Sequence, residues 1–390
     1  MQVNLGMSDL TLGVVLGAGA AGGIVAGLSA GPLMHRYGSR RVALVMLGCS
    51  LPVLPLLGLA PNAWLLGTTI FVLGAFDAIM DAAMNSHALR AQHELKRLGN
   101  TRSILNTFHG FWSLGAVVGA LVGVLTANAG IDLFWSLIFV SAINAVLVLA
   151  TQMWLLTGPD PETFLTSDGD NTSDAKLGFE CIDQVDAASA QSQASARTTH
   201  QVMPATLIRN PVIWGLGAFI VLAIMMEDIP GRWSSIYLTD IGAPVALVGW
   251  GFVAFTAAMT LGRFLGDRIV DALGDPLWTR IGMTTSAVVI TAALLSQFVW
   301  AFVLACAIVG FCVATLFPAA MRAAAHIPGV RPSSGIAALT WLSRAGFVAA
   351  PLLVGVVAEA QGVAWGIGVA VAAALALVPL SSLLRSERSR

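Results

Sequence analysis

Charge is scarce in this chain. Of its 390 residues only 11% are charged and 57% are hydrophobic, where a soluble domain carries about a quarter charged residues. That ratio excludes a water-soluble globular domain. Basic residues are missing from particular places as well: the segments near 61–63, 128–132, 240–243, 297–299 and 358–362 contain no Lys or Arg. The four cysteines, Cys49, Cys181, Cys306 and Cys312, have no metal-ligand spacing, so neither a metal site nor a disulfide is expected. There is no cleavable signal peptide with a basic n-region. There is no basic surface or RNA-type motif, which argues against nucleic-acid binding, and no phosphate-binding loop with a Lys, which argues against ATP-driven work. No cofactor and no enzymatic activity are expected.

Long apolar runs are abundant. A membrane-spanning helix needs roughly 20 apolar residues, and eleven stretches meet that length: about 10–33, 42–60, 64–89, 103–127, 133–156, 211–238, 244–266, 280–297, 299–321, 333–357 and 362–384. The basic residues fall in alternate gaps between them. Arg36, Arg40 and Arg41 share one gap; Arg90, Lys96, Arg97 and Arg102 share the next basic one; Lys176, Arg197 and Arg209 lie in the long middle segment. Arg263, Arg268 and Arg280 follow, then Arg322 and Arg331, then Arg385, Arg388 and Arg390. This is the positive-inside pattern of a polytopic membrane protein. It predicts a multi-pass protein of the inner (cytoplasmic) membrane, with residue 1 outside and residue 390 in the cytoplasm.

Residues 157–210 are rich in Asp, Ser, Thr, Gln and Ala and cannot bury a core, so they read as a cytoplasmic linker. They separate a five-helix half (1–156) from a six-helix half (211–390). Phe71-Val72-Leu73 recurs as Phe302-Val303-Leu304 and Gly115 as Gly346, both at an offset of 231, and His35-Arg36 matches Asp267-Arg268 at 232. Parallel halves of this kind are a transporter architecture. By the same register the sixth span has no counterpart within the first half; its position falls before Met1.

The segment Gly31-Pro32-Leu33-Met34-His35-Arg36-Tyr37-Gly38-Ser39-Arg40-Arg41 resembles the G-x-x-x-D-R-x-G-R-R loop of the major facilitator superfamily, with His35 in place of the acid. The copy Gly262-Arg263-Phe264-Leu265-Gly266-Asp267-Arg268 keeps the acid. Met80-Asp81-Ala82-Ala83-Met84-Asn85, His109 with Trp112-Ser113-Leu114-Gly115, and Glu227 with Trp233-Ser234 and Tyr237-Leu238 are similar to the branch with fucose permease-like and MosC-like proteins. The resemblance implies an all-α fold of two pseudo-symmetric bundles, holding the second to twelfth helices of a twelve-helix pattern. It also implies a gating loop at Gly31, His35, Arg36, Gly38, Arg40, Arg41, Gly262, Asp267 and Arg268. Leu5 to Asp9 is similar to the loop that follows the family's first helix, so an apolar helix is expected before Met1.

Charges inside the spans carry the functional reading. Asp77, Asp81 and Asn85 recur every four residues and form one helical stripe. An ionised side chain at mid-bilayer costs at least about 2.5–3.5 kcal/mol, so the stripe should face protein or a water-filled cavity. His109 enters the next span at a similar depth, about 9 Å from its basic end at ~1.5 Å per residue. Glu227 and Asp228 precede Ile229-Pro230-Gly231, which should break the sixth helix; a Glu227/Asp228–Arg232 brace is the competing reading. Arg344 needs a carboxylate partner or an anionic substrate, and an acid partner is favoured. Trp112 and Trp233 could stack on a sugar, or serve as interface or core aromatics. The string Gly17-Ala18-Gly19-Ala20-Ala21-Gly22 fits a dinucleotide fingerprint, but no strand precedes it; close helix packing explains it.

These observations predict a monomeric secondary transporter for a small-molecule substrate, working by alternating access within the lipid bilayer, and the resemblance implies that the substrate is a small polar, sugar-like solute. The energy source would be a proton gradient, as in a symporter, or the substrate gradient itself. An efflux antiporter for drugs or metabolites, or a non-transporting or decayed membrane protein, are the competing classes.

Overall fold

The computed structural model describes residues 5–97, 105–157, 210–327 and 332–384. Residues 158–209 of the proposed linker, Arg102, Arg331, Arg385, Arg388 and Arg390 therefore lie outside the described residues, and Lys96 and Arg97 are described in their helical backbone alone. The described residues fold into helices: α1 (Asp9–Gly27), α2 (Ala30–Tyr37), α3 (Ser39–Val53), α4 (Leu56–Leu59), α5 (Ala63–Arg97), α6 (Leu105–Asn128) and α7 (Leu133–Thr151) precede the linker region. After it come α8 (Pro211–Asp240), α9 (Val245–Val248), α10 (Trp250–Leu273), α11 (Asp275–Ser296), α12 (Val299–Val313), α13 (Leu316–Ala325), α14 (Pro332–Gln361) and α15 (Val363–Leu380). Eleven segments among the described residues are long and apolar enough to cross a membrane, matching the eleven stretches read from hydropathy.

Glycine lets the spans approach until backbones touch. A Cβ on Gly22 would lie 2.0 Å from the Phe71 carbonyl oxygen, and one on Gly74 would lie 2.1 Å from that of Gly19. The apparent dinucleotide string is therefore the crossing of α1 over α5. In the second half, a Cβ on Gly310 would lie 2.2 Å from the Phe255 carbonyl oxygen. Gly74 and Gly310 are 236 residues apart, as are Gly19 and Phe255, so the internal repeat runs at 236 in these spans. The 231 register suggested by Phe71-Val72-Leu73 is corrected by this crossing. The helix joints agree: Gly38 (φ 79°) and Gly274 (φ 77°) both turn the chain in the left-handed region. Their N–H groups donate to Met34 and Val270, 2.8 and 2.7 Å away. Asp271, four residues beyond Asp267, thus stands where His35 stands.

The repeat extends to side chains. Ser39, the first residue of α3, is bonded to His87 of α5 (Oγ to Nδ1, 3.3 Å). Its counterpart Asp275, the first residue of α11, holds Arg322 of α13 through two contacts of 2.7 and 3.2 Å. On the same side Arg40 donates to the Gln152 carbonyl at 2.6 Å and Arg90 to that of Thr157 at 2.6 Å. Gln152 is the residue just after α7 and Thr157 lies past the short 3-10 turn that follows it, so these two cations fasten the chain leaving α7.

α8 is the most buried span. Its Ile224 packs against Gly346 of α14, where a Cβ would come within 2.8 Å. The corresponding Gly115, with Gly119 and Gly123 one and two turns on, meets nothing within 4 Å. Among the described residues the first five spans contain no counterpart of α8, and this face of α6 is open. Pro230 does not break α8, contrary to the sequence expectation: the helix is continuous through it. One lost backbone hydrogen bond is tolerated because Ile229, Pro230, Gly231 and Trp233 are all buried against neighbouring helices.

The packing makes a direct prediction. Gly74→Ala should destabilise the protein by about 1–3 kcal/mol through overpacking, read as a lower Tm in detergent, whereas Gly115→Ala should leave the Tm unchanged. Equal Tm values for the two variants would contradict the helix crossing described here.

Candidate functional site

Two sets of inter-bundle contacts lie at different depths. Toward the side poor in Lys and Arg, α1 packs on α14 so closely that a Cβ on Gly13 would lie 2.4 Å from the Pro351 carbonyl oxygen. The Leu10 amide donates to Glu359 at 3.3 Å. On the opposite edge Val124 of α6 fills the space above Gly249, and Asn128 donates to the Ala246 carbonyl at 3.3 Å. Met7, Leu12, Val15 and Leu66 share one core with Ala350, Val354 and Ala358. Toward the basic side the first bundle instead keeps a separate apolar cluster of Ala30, Met34, Val42, Ile79 and Ala83. Among the described residues, the halves share an apolar core at the end poor in Lys and Arg, while the apolar cluster of the first bundle toward the basic side is separate from it.

Charged side chains cross the gap on the basic side. The guanidinium of Arg344 lies over the glycine face of α1: Cβ atoms on Gly23 and Gly27 would sit 3.9 and 3.8 Å from its terminal nitrogens. It is electrostatically coupled to Asp81 of α5. Asp81 accepts a hydrogen bond from Asn85 Nδ2 at 3.3 Å and feels the charge of Asp77 one turn away. The stripe read from sequence, Asp77, Asp81 and Asn85, is thus one array, and Arg344 feels the Asp81 carboxylate from the other half without an ion pair being formed between them. Asp77 and Asp81 are exposed while Asn85 is buried. The backbone of His109 lies in α6; its side chain, like that of Asp267, is outside the described residues.

A second cluster was not legible in the sequence. Arg263, counted there with the basic gaps, lies within a span, because α10 continues to Leu273 before turning. It forms an ion pair with Glu227 of α8 at 3.5 Å, donates to Ser113 Oγ of α6 at 2.7 Å, and lies over the ring of Trp112 at 5.5 Å. Each contact favours a cation: a carboxylate, a charge-assisted hydrogen bond and an aromatic face. Arg263's place three residues before Gly266, the end of its span, was the available signal. The expected brace is divided: Asp228, buried, pairs with Arg232 one turn away, while Glu227 turns to Arg263. Trp233 is fully buried, so it is a core aromatic rather than a stacking platform.

The expected gating loop is also resolved in part. His35 and Arg36 are exposed, with Arg36 over Tyr37 at 5.3 Å; Gly31 lies in α2 and Arg41 in α3. Gly262 is a packing residue: a Cβ there would lie 2.7 Å from the Phe311 carbonyl oxygen. Arg268 is exposed on α10. A cavity of about 290 Å³ among Leu12, Val15, Leu66, Ile70 and Leu133 has an entirely apolar lining. It offers a polar solute nothing to bond, and the polar clusters above are the better candidate site.

Eleven apolar spans in two repeat-related helical bundles are a transporter architecture. The Major Facilitator Superfamily model matches residues 1–229 and 233–390, and the chain belongs to that family; it is a transporter and not an enzyme. An uncharacterized MFS-type transporter of Yersinia pestis is 25% identical over 369 residues, covering 94% of this chain and 85% of that protein. Membrane protein MosC of Rhizobium meliloti is 26% identical over 356 residues, covering 91% and 77%. Among solved structures, the nucleoside transporter NupG superposes with a TM-score of 0.68 at 14% identity, covering 97% of this chain and 92% of that one. That likeness concerns the fold.

Arg344 and Arg322 separate function from stability. Arg344→Gln should abolish transport, because it strands Asp81 without its cation. Arg322→Gln should lower the Tm, by losing Asp275, while transport persists. Equal and mild effects of the two substitutions on transport would contradict the placement of Arg344 in the site.

Proposed function

We propose that the chain is a secondary active transporter of a small polar, sugar-like solute. It is coupled to protons and works by alternating access between residues 1–156 and 211–390, tethered by the cytoplasmic segment 157–210. The observation that carries the reading is the reach of the Arg344 guanidinium from α14 to Gly23 and Gly27 of α1, where Gly23 also meets Ala78 of α5, next to the Asp77–Asp81–Asn85 stripe. Ionised groups at this depth cannot face lipid without a cost of several kcal/mol, so the exposed carboxylates face water in the space between the bundles. A carboxylate that exchanges between an arginine and a proton is a reversible carrier site. The backbone-close packing of α1 on α14 at the end poor in basic residues supports alternating access, since among the described residues the basic end shows no such contact between the bundles.

In this reading the protein acts as a monomeric symporter of the inner membrane. Asp81 is the proton carrier, Asp77 its coupled neighbour, and Trp112 an aromatic surface at the inner mouth. Arg344 gives up Asp81 when the carboxylate is protonated.

Purified protein in proteoliposomes should show solute-dependent proton flux with a member of a panel of sugars and nucleosides. Asp81→Asn, which keeps size and hydrogen bonding but cannot titrate, should abolish or uncouple that flux by at least about tenfold while insertion is unchanged. Undiminished proton-linked uptake in Asp81→Asn rules out this carrier.

A further inference from the structure

The deepest carboxylate of the first bundle has no cation. Among the described residues, three charged side chains lie ten or more residues from both ends of their spans: Asp77 in Ala63–Ala88, and Glu227 and Asp228 in Pro211–Asp240. Glu227 is paired with Arg263 and Asp228 with Arg232. One turn along α5, Asp81 feels the Arg344 cation and accepts from Asn85. Asp77 makes no ion pair and accepts no hydrogen bond among the described residues, and no cation acts on it. It is exposed, so a ligand can reach it. An ionised group this far from either membrane surface is costly unless something neutralises it. A second group on the same stripe is short of a donor. Asn85 is only 3% exposed. Its Nδ2 donates to Asp81, which turns the amide into the stripe, while its buried Oδ1 accepts from nothing. Buried acceptors are normally satisfied.

We propose that the Asp77–Asp81–Asn85 stripe is a subsite for a protonated amine on a small hydroxylated solute, an amino sugar, with Asp77 taking the ammonium group and Asn85 a hydroxyl. The inference rests on the transport reading above and narrows its substrate class. Both vacancies on the stripe are vacancies for donors, and an ammonium group is three donors with no acceptor. A neutral sugar hydroxyl could bond Asp77 but would leave its charge uncompensated; an amine brings the missing charge with it. A bare metal ion does not fit, because it gathers its oxygens within about 2.6 Å. Asp77 and Asn85 stand two turns apart, roughly 12 Å at 1.5 Å per residue. With a hydrogen bond of about 2.9 Å at each end, the two donors of the solute stand roughly 6 Å apart, which one sugar ring with its substituents spans. Asp81 lies between them and keeps its place as the proton carrier.

Calorimetric binding to the purified full-length protein in detergent tests this with matched pairs: glucosamine, galactosamine and mannosamine, each against its parent sugar, which has a hydroxyl where the amine stands. At least one amine should bind about tenfold more tightly than its parent sugar, the scale of a hydrogen bond to a charged group. Asp77→Asn should abolish that preference. Asp77→Glu, which keeps the charge, should retain most of it and shows that the loss in Asp77→Asn is one of charge rather than of fold. Asn85→Ala should weaken amine and parent sugar alike by about threefold, the scale of one neutral hydrogen bond. No amine preferred over its parent sugar would overturn the proposal, as would a preference that survives in Asp77→Asn. Equal loss in Asp77→Glu and Asp77→Asn would overturn the assignment of the ammonium group to Asp77. Parent sugars that drive proton flux in proteoliposomes while the amines do not bind would overturn the amine subsite and leave the transport reading standing. An amine preference that depends on Asp77, in a protein without solute flux, would contradict the transport reading and leave the subsite standing.

Discussion

Every feature of this molecule follows from the cost of holding charge in a bilayer. A side-chain charge at mid-membrane is destabilising by several kcal/mol unless it meets an opposite charge, hydrogen-bond partners or water. The chain nevertheless retains Asp77, Asp81, Glu227, Asp228, Arg263 and Arg344 inside its spans. The structure meets that cost by pairing Asp228 with Arg232 and Glu227 with Arg263, both within the second bundle. Asp81 of the first bundle and Arg344 of the second attract each other across the gap without a direct ion pair. That attraction is the one that changes when the bundles move.

Close packing makes such pairs selective. Glycines along α1 let it run between α5 and α14 with backbones in contact, at Gly22 and Gly74 on one side and at Gly13 and Gly355 on the other. Without side chains to spread the helices, the end poor in basic residues closes on apolar contacts. Toward the basic end the same glycine face, at Gly23 and Gly27, leaves room for one guanidinium. The bundles are therefore bonded differently at their two ends, by dispersion and burial at one and by ion pairing and charge-assisted hydrogen bonds at the other.

Much of this was legible in the sequence. The eleven spans were readable because a bilayer imposes a length on apolar runs that no other environment imposes. The Asp77–Asp81–Asn85 stripe was readable because helical spacing fixes which residues share a face. Arg344 was recognised as needing an acid, and Asp81 is the carboxylate whose charge it feels. The repeat was recognised, but in the wrong register for the first spans: Phe71-Val72-Leu73 is an apolar triplet that any span can contain, while the constraint that fixes register is the crossing of Gly74 on Gly19 and of Gly310 on Phe255. Arg263 escaped because a cation close to a span's end looks like a loop residue until the helix is seen to continue for two more turns. The expected break at Pro230 failed because burial on all sides holds a helix that its local sequence would interrupt.

The central claim is that Asp81 and Arg344 neutralise each other across the two bundles, and a charge exchange tests it most directly. Asp81→Arg alone and Arg344→Asp alone each place two like charges together, so each should lose folded, membrane-inserted protein. The double variant restores an opposite pair with the donor and acceptor reversed. The account predicts that it regains folded protein, measured as monodisperse yield and Tm in detergent, well beyond the sum of the single effects. A double variant no better than its single parents would contradict the claim.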